Sequence, residues 1–514
     1  MICFCILVGM FSFCGCGNAG SCQQKQIVLV AARDLAQGPK ETYFCSSTLK
    51  VWEPLIGLAS DGKIIPKLAE SWEPLNEGKE WILHLRRNVR FHDGEPFNAK
   101  AVLDNFKRYQ NMGLRATSYY YFTMNRIYPH FENIKMDDEY TVHLYFSQPD
   151  PLLPYRMVEW GSAMYSPKCF NTETGDFNEK IAGTGPFEIA EHKADEYVVL
   201  RRNDNYYGEK AKVDSIKIRV MPAMDTRYSA LRSGEVLGVL DLGGISPLMA
   251  KELLKTGDFY VSEQKSTISH YISVNGNRYP FNDERMKKAI SLAIDREKIN
   301  HYYFNDYGKP TVNFLNSTTP FSSSYPVIYD KNKAIELAHE VLGDKRVKVK
   351  FLLTRSGIER YPYKVIAEFL QAELRPLGID MDIQMADDMT ASVMKQKGDY
   401  DMSISIRGLD NLDPSRLLYE FFDSQGSTNI RNSFGYSNCK VDAIFERLKD
   451  TDTIEEKDTL FRALQEELIN HPGVIPLLEG RNVIVSSRLL RGYEATIYGV
   501  SIENIQWNEE GEHL

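Results

Sequence analysis

The chain has 514 residues, 43% of them hydrophobic and 25% charged, with a mean hydropathy of −0.36. That is a globular composition, long enough for two or three cores rather than one. A formal net charge of −9 and a pI near 5.7, with Lys63, Lys67, Arg86 and Arg87 scattered among acids, argue against non-specific binding to nucleic acid or anionic lipid.

The run from Met1 to Cys16 is uncharged and apolar, too short to span a bilayer comfortably, and no comparable run follows. Cys16 follows the small residue Gly15, as an acylated cysteine does at a bacterial lipoprotein cleavage site. The segment reads as a lipoprotein signal with Cys16 lipidated; an ordinary cleaved signal peptide is the alternative. It lacks a basic start, since no Lys or Arg precedes Lys25, and Phe13 takes the place of the usual aliphatic residue. Gly17 to Gln24 reads as a flexible tether. Five of the eight cysteines lie at or before Cys22, leaving Cys45, Cys169 and Cys439 in the body, which is no disulfide framework.

Ile27-Val-Leu-Val-Ala-Ala is a continuous apolar run that suits a strand buried on both faces. Trp81, Leu83 and Leu85 alternate as a strand, His92-Asp-Gly-Glu-Pro96 forms a turn, and Asn98 caps a helix through Val102, Phe106 and Tyr109. Met286, Ala289, Ile290, Ala293 and Ile294 make a buried helical stripe. Val347, Val349, Phe351 and Leu353 predict a strand. Val365, Ile366, Phe369, Leu370 and Leu374 predict a helix stopped at Gly378, and Ile379, Met381 and Ile383 a second strand. Such a strand–helix–strand unit favours a parallel or mixed sheet covered by helices. With no repeats and no clear linker, the lobes are expected to be interleaved in sequence.

Catalytic signatures are absent: no GxSxG, HExxH, GxxxxGK[ST] or GxGxxG occurs, and the ten histidines are dispersed. Gly183-Thr-Gly is followed at once by Pro186 and opens no phosphate-cradling helix. The expectation is a binding protein, not an enzyme, with no cofactor and no resident metal.

A ladder of short segments runs along almost the whole chain. Trp52-Glu-Pro-Leu-Ile-Gly57, Asp61-Gly-Lys-Ile-Ile-Pro-Lys-Leu-Ala-Glu-Ser-Trp72 and Phe91-His-Asp-Gly-Glu-Pro-Phe97 come first. Gly183-Thr-Gly-Pro-Phe187 and Asn205-Tyr-Tyr-Gly-Glu-Lys210 follow, then Arg285 to Arg296 and Gly398-Asp-Tyr-Asp401. In this order the segments resemble the family 5 extracellular solute-binding proteins, the peptide- and nickel-type receptors of ABC importers. The resemblance implies an α/β, two-lobed periplasmic-binding-protein-like fold (type II, cluster C) with mixed sheets and an extra subdomain. It divides the chain into a signal segment (1–16), a tether (17–26), a lobe I core (27–50, 185–265 and 481–514), an extra subdomain (51–184) and lobe II (266–480). It also implies a monomer at the periplasm or the outer face of the cytoplasmic membrane, held by its N-terminal lipid. Its partners would be a small-molecule ligand and an ABC permease and ATPase complex, with no nucleic acid. Signalling or adhesion on the same fold is the rival from another class.

Ligand-facing candidates come from the same resemblance. Within Arg407-Gly-Leu-Asp-Asn-Leu-Asp-Pro414, Arg407 and Asp410 are candidates, and Asp410 falls where dipeptide-type receptors pair a carboxylate with the peptide's α-amine. A polar turn is the other reading of that segment. Lys364 stands near the place of the carboxylate-binding arginine, without an arginine's bidentate fork. Arg115 aligns with an arginine that contacts the anionic chelate in nickel receptors, against a plain surface role. Trp160 occupies the place of a second such arginine, for which Arg156 is the nearby substitute. Peptide and nickel/metallophore ligands both remain open.

Overall fold

In this computed structural model the described residues are 26–36, 47–59, 61–112, 124–178 and 180–508, with backbone alone at 112, 126 and 160. The apolar run forms β1 (Ile27–Ala31). The chain then leaves to build an antiparallel sheet from β2 (Ala69–Leu75), β3 (Glu80–Leu85), β4 (Phe131–Asp138) and β5 (Thr141–Phe146), with α1 (Ala99–Met112) between β3 and β4. Its order is β2-β3-β5-β4. The chain returns as β6 (Phe187–Lys193), β7 (Tyr197–Arg202) and β8 (Ser215–Val220). These complete a sheet of order β1-β8-β7-β6, in which β1 and β8 are parallel with Ile27 opposite Ile216.

The second half is organised by a six-stranded sheet. It comprises β9 (Phe259–Val274), β10 (Lys309–Pro310), β11 (Val347–Thr354), β12 (Ile379–Ala386), β13 (Met402–Gly408) and β14 (Val474–Ser487), in the order β10-β14-β9-β13-β11-β12. Helix α2 (Glu284–Ala293) lies between β9 and β10. Helices α3 (Arg355–Arg360) and α4 (Tyr363–Leu374) join β11 to β12, α5 (Asp388–Gln396) joins β12 to β13, and α6 (Ser415–Phe422) follows β13. The expected strand–helix–strand unit is present: β11 and β12 pair in parallel from Val347↔Ile379 to Thr354↔Ala386. Gly378 adopts the left-handed conformation (φ 82°) that ends the helical segment.

Local expectations hold where the pattern is strong. Trp81, Leu83 and Leu85 are 5%, 1% and 2% exposed on β3. Asn98 accepts a hydrogen bond from the Ala101 N–H at 3.1 Å, and Val102, Phe106 and Tyr109 are buried on α1. Two details differ. Val365 is 42% exposed because α4 turns Tyr363, Ile366, Ala367 and Leu370 inward and leaves Val365 on the outer face. Ile294 is buried but lies beyond α2, in extended backbone.

The fold is two-lobed. One hydrophobic core joins the β1 sheet to the β2–β5 subdomain, and another fills the six-stranded sheet and its helices. Strands β9 and β14 belong to both lobes. Phe259 and Val485 pack with Val30 and Met221 in the first, whereas Ile272, Ile475 and Leu477 lie in the second core. They pair antiparallel on either side of an unpaired stretch, with register shifts between Lys265 and Ser269 and between His270 and Tyr271.

The family-like segments converge on a knot around the buried carboxylate Glu53. Thr184 Oγ1 (3.1 Å), Tyr206 OH (2.7 Å) and Tyr207 OH (3.0 Å) donate to it, and Lys67 Nζ lies 3.6 Å away. His92 donates its N–H to the Gly183 carbonyl at 2.9 Å. Gly183 and Gly185 are needed here for contact, not for positive φ: a Cβ on either would fall far inside the Val51 or Lys50 carbonyl.

Candidate functional site

A cleft of about 310 Å³ lies where β9 and β14 pass between the lobes. The first lobe contributes Arg33 and Leu35 after β1, the loop through Leu240, Asp241 and Gly243, and Arg481 and Asn482 on β14. The second contributes Ser266, Ile268 and His270 on β9, Phe304 and Tyr307, and Arg360 and Tyr361 at the end of α3. Three guanidinium groups therefore face one carboxylate.

That carboxylate, Asp241, accepts a hydrogen bond from the Ala32 N–H, which ties its loop to the end of β1. Burial pushes its carboxyl up, against the pull of Ala32, Arg227 and Arg33. The loop is also fixed by buried Arg227, which donates to the carbonyls of Gly244 (3.0 Å), Met221 (2.7 Å) and Pro222 (2.7 Å). Arg360 crosses from the second lobe to this loop: a Cβ on Gly243 (φ 71°) would lie 3.6 Å from Arg360 Cγ. Behind it, His270 is buried against the rings of Phe304 and Tyr361, both at 4.9 Å. Its Nδ1 is 2.7 Å from Tyr363 OH. Burial pulls the imidazole down to about 3, so it is neutral at physiological pH.

A second, small pocket opens beyond the end of β13, lined by Arg156, Arg407, Asp410, Asn411 and Asp413. The structure thus brings together three of the residues expected at the site. Asp410 is half-buried on its wall. Arg407 lies 6.0 Å from the Phe421 ring centre and 3.8 Å from Glu420, and its buried Nε makes no hydrogen bond among the described residues. The turn reading also applies locally, because Asn411 Oδ1 accepts from Asp413 N–H and Asp413 Oδ1 from Ser415 N–H, each at 2.9 Å.

The other candidates are placed differently. Arg156 is not available to a ligand: it donates to Asp150, to Asp413 and, at 2.8 Å, to the Ile127 carbonyl. Burial opposes its charge, and the two carboxylates more than restore it. This buried triad links the subdomain to the second lobe. Around it Leu152 packs into the second lobe's core, and Leu412 N–H donates to the Tyr155 carbonyl at 3.1 Å. Lys364 is exposed, because it follows the inward-facing Tyr363 by one residue on α4 and so points away from the cleft. Arg360, four residues earlier, is the cation that lines it. Trp160 lies in a 3-10 turn, Glu159–Ser162, with its side chain outside the described part. Arg115 and Cys16 lie outside the described residues. Among the described residues no group of three His, Cys, Asp or Glu is placed to hold a metal ion, and no helix is long and apolar enough to cross a membrane.

Sequence reasoning missed Arg33, Asp241, His270, Arg360 and Arg481. One signal was available for Arg360: it closes the short helix α3 that follows the first strand of the parallel unit, at the carboxyl end of the sheet where open α/β folds bind ligands.

Two lobes joined by a pair of crossing strands, with a charged cleft between them, define a ligand-clasping binding protein. Residues 63–429 match the family model described as "Bacterial extracellular solute-binding proteins, family 5 Middle". The chain belongs to this family of extracytoplasmic solute-binding receptors, which are not catalysts. Among curated relatives it is similar to the glutathione-binding protein GsiB of Salmonella choleraesuis (strain SC-B67), with 26% identity over 451 residues and 86% of each chain covered. Among solved structures it resembles NikA from Brucella suis in complex with Fe(III)-EDTA, at a TM-score of 0.80 and 22% identity, covering 94% of this chain and 100% of that one. It also resembles DppA from Helicobacter pylori in complex with the peptide STSA, at a TM-score of 0.71 and 22% identity, covering 94% and 98%.

Proposed function

We propose that this receptor delivers a small carboxylate-rich cargo to an ABC permease and ATPase complex, the cargo being an acidic peptide of the glutathione kind or an anionic metal chelate. The observation that carries the reading is the cleft charge: Arg33, Arg360 and Arg481 line it from both lobes and Asp241 is the one carboxylate in its lining, while Arg481 also pairs with Glu263 outside it at 3.4 Å. In a water-poor cleft, guanidinium–carboxylate pairs are short, directional and strong. The names of the relatives, one binding glutathione and one solved with a metal chelate, support the same ligand chemistry. Ligand contacts from both lobes stabilise the closed form, which the permease recognises. The register shift between Lys265 and Ser269 on β9 is where we place the hinge.

Calorimetry separates the ligand classes. We infer that the ammonium end of a peptide reaches the pocket beyond β13: with glutathione as cargo, Asp410→Ala then costs about 2–5 kcal/mol by leaving a desolvated ammonium unpaired, and Arg115→Ala matters little. With nickel–histidine the order reverses. Either cargo is weakened by Arg360→Ala; wild-type-like binding of both by that variant would remove the cleft from consideration. For anchoring, we assign acylation to Cys16: Cys16→Ser is expected to accumulate unprocessed precursor, whereas Cys14→Ser matures normally. Stable attachment calls for two acyl chains, because one holds only marginally.

A further inference from the structure

β11 and β13 pair in parallel only at Phe351↔Met402 and Leu352↔Ser403. β11 runs on to Thr354 and β13 to Gly408, so beyond those pairs the strands diverge. A crevice of about 220 Å³ opens at their carboxyl ends, lined among others by Thr354, Ser356, Arg360, Tyr361 and Ser405. The strand order β12-β11-β13 makes this a topological switch point. α4 packs on Phe351 and Leu353, and α5 on Leu352, hence on opposite faces of the sheet. In open α/β sheets such crevices receive ligands.

The side chains give this crevice a sign. Lys395, on α5, donates from Nζ to Ser405 Oγ at 3.1 Å and forms no ion pair with a carboxylate among the described residues. Burial without a counter-charge pulls its ammonium down to about 8. Because Ser405 Oγ accepts from an ammonium, its own proton points elsewhere, and it has no acceptor among the described residues. The hydroxyl is therefore a polarised donor. Arg360 lines both this crevice and the interlobe cleft. The neighbouring acid, Asp388, already accepts the O–H (2.8 Å) and N–H (3.4 Å) of Ser356.

We propose that the crevice is a carboxylate subsite continuous with the interlobe cleft, in which Arg360 and Ser405 hold one carboxylate of the ligand and Lys395 positions Ser405. The inference rests on the cleft being the ligand site, and it commits the cargo to a molecule with a carboxylate arm at one end. Lys395 acts through Ser405 and is a positioning residue.

The test uses the full chain with glutathione and its glycyl monoethyl ester, which lacks one carboxylate. Wild type is expected to prefer the acid about tenfold, the worth of one charge-assisted hydrogen bond. Lys395→Met and Ser405→Ala should each erase that preference while leaving ester binding unchanged. Variants that keep the preference, or that lose acid and ester equally as a folding defect would, overturn the subsite. Inorganic phosphate at constant ionic strength is the second probe: it should raise the melting temperature of wild type and not of the variants. Equal shifts in all three proteins overturn the proposal whatever glutathione does. A phosphate shift that needs Lys395 and Ser405, in a protein indifferent to both glutathione forms, keeps the subsite and removes the acidic-peptide reading.

Discussion

His270 carries a pH signature that belongs to a single residue. Its folded pKa of about 3 lies below the ordinary value of 6.5, so the unfolded chain binds more protons at intermediate pH and stability falls as pH drops below 6.5. From pH 7 to pH 5 the loss from this group alone is about 2 kcal/mol. His270→Gln should flatten that part of the stability–pH curve, measured by urea denaturation at each pH; an unchanged slope would show that another group sets it. At this scale the sequence was only partly legible. Asp410 and Arg407 were readable because they sit in one contiguous segment, and they do share a pocket. The cleft arginines come from places 33, 360 and 481, which no local pattern connects, because tertiary folding alone makes them neighbours. Lys364 is on the outer face of α4, whereas Arg360, which lines the cleft, ends α3 on the other side of the Tyr361-Pro362 break, a break that local spacing does not reveal.

Among the elements, those with strong periodicity were legible: β1, β3, α1, α2 and the β11–α4–β12 unit all stand where their apolar spacing puts them. The sixteen residues of β9 were not, because its middle is polar (Ser262 to Ser269 includes Glu, Gln, Lys, Ser and Thr) and it serves two cores in turn. Gly185→Ala tests the knot that binds the subdomain to the first lobe. With the Lys50 carbonyl in the way of a Cβ, the substitution should cost roughly 3 kcal/mol by forcing backbone apart, read as a lowered denaturation midpoint. Arg156→Met tests the other side of the subdomain. Removing the guanidinium takes from buried Asp150 and Asp413 their ion-pair partner and leaves only the more distant Lys457 ammonium, and the expected loss is about 3–5 kcal/mol. A loss below 1 kcal/mol would mean that water already reaches the triad.

At the scale of the whole molecule, two-lobed closure predicts compaction. Saturating ligand should lower the radius of gyration in solution scattering, and a superimposable profile with ligand bound would argue against hinged lobes. The overall architecture was legible through the ladder of segments rather than through any element. The reason is now physical: Trp52-Glu-Pro-Leu, Gly183-Thr-Gly and Asn205-Tyr-Tyr meet at Glu53, so each constrains the others. They stabilise a junction and none of them lines the interlobe cleft, which is why they announced the family and said nothing of the ligand.

The Asp150–Arg156–Asp413 triad has a consequence in time. The subdomain is knotted to the first lobe on one side and ion-paired to the second on the other, so separating the lobes there means pulling a buried charge from its partners. Bulk ions screen such a pair poorly. Cargo dwell time should therefore lengthen with the integrity of the triad and respond little to added salt. Stopped-flow release from wild type and from Asp413→Asn would resolve this as a difference in off-rate without a matching change in on-rate.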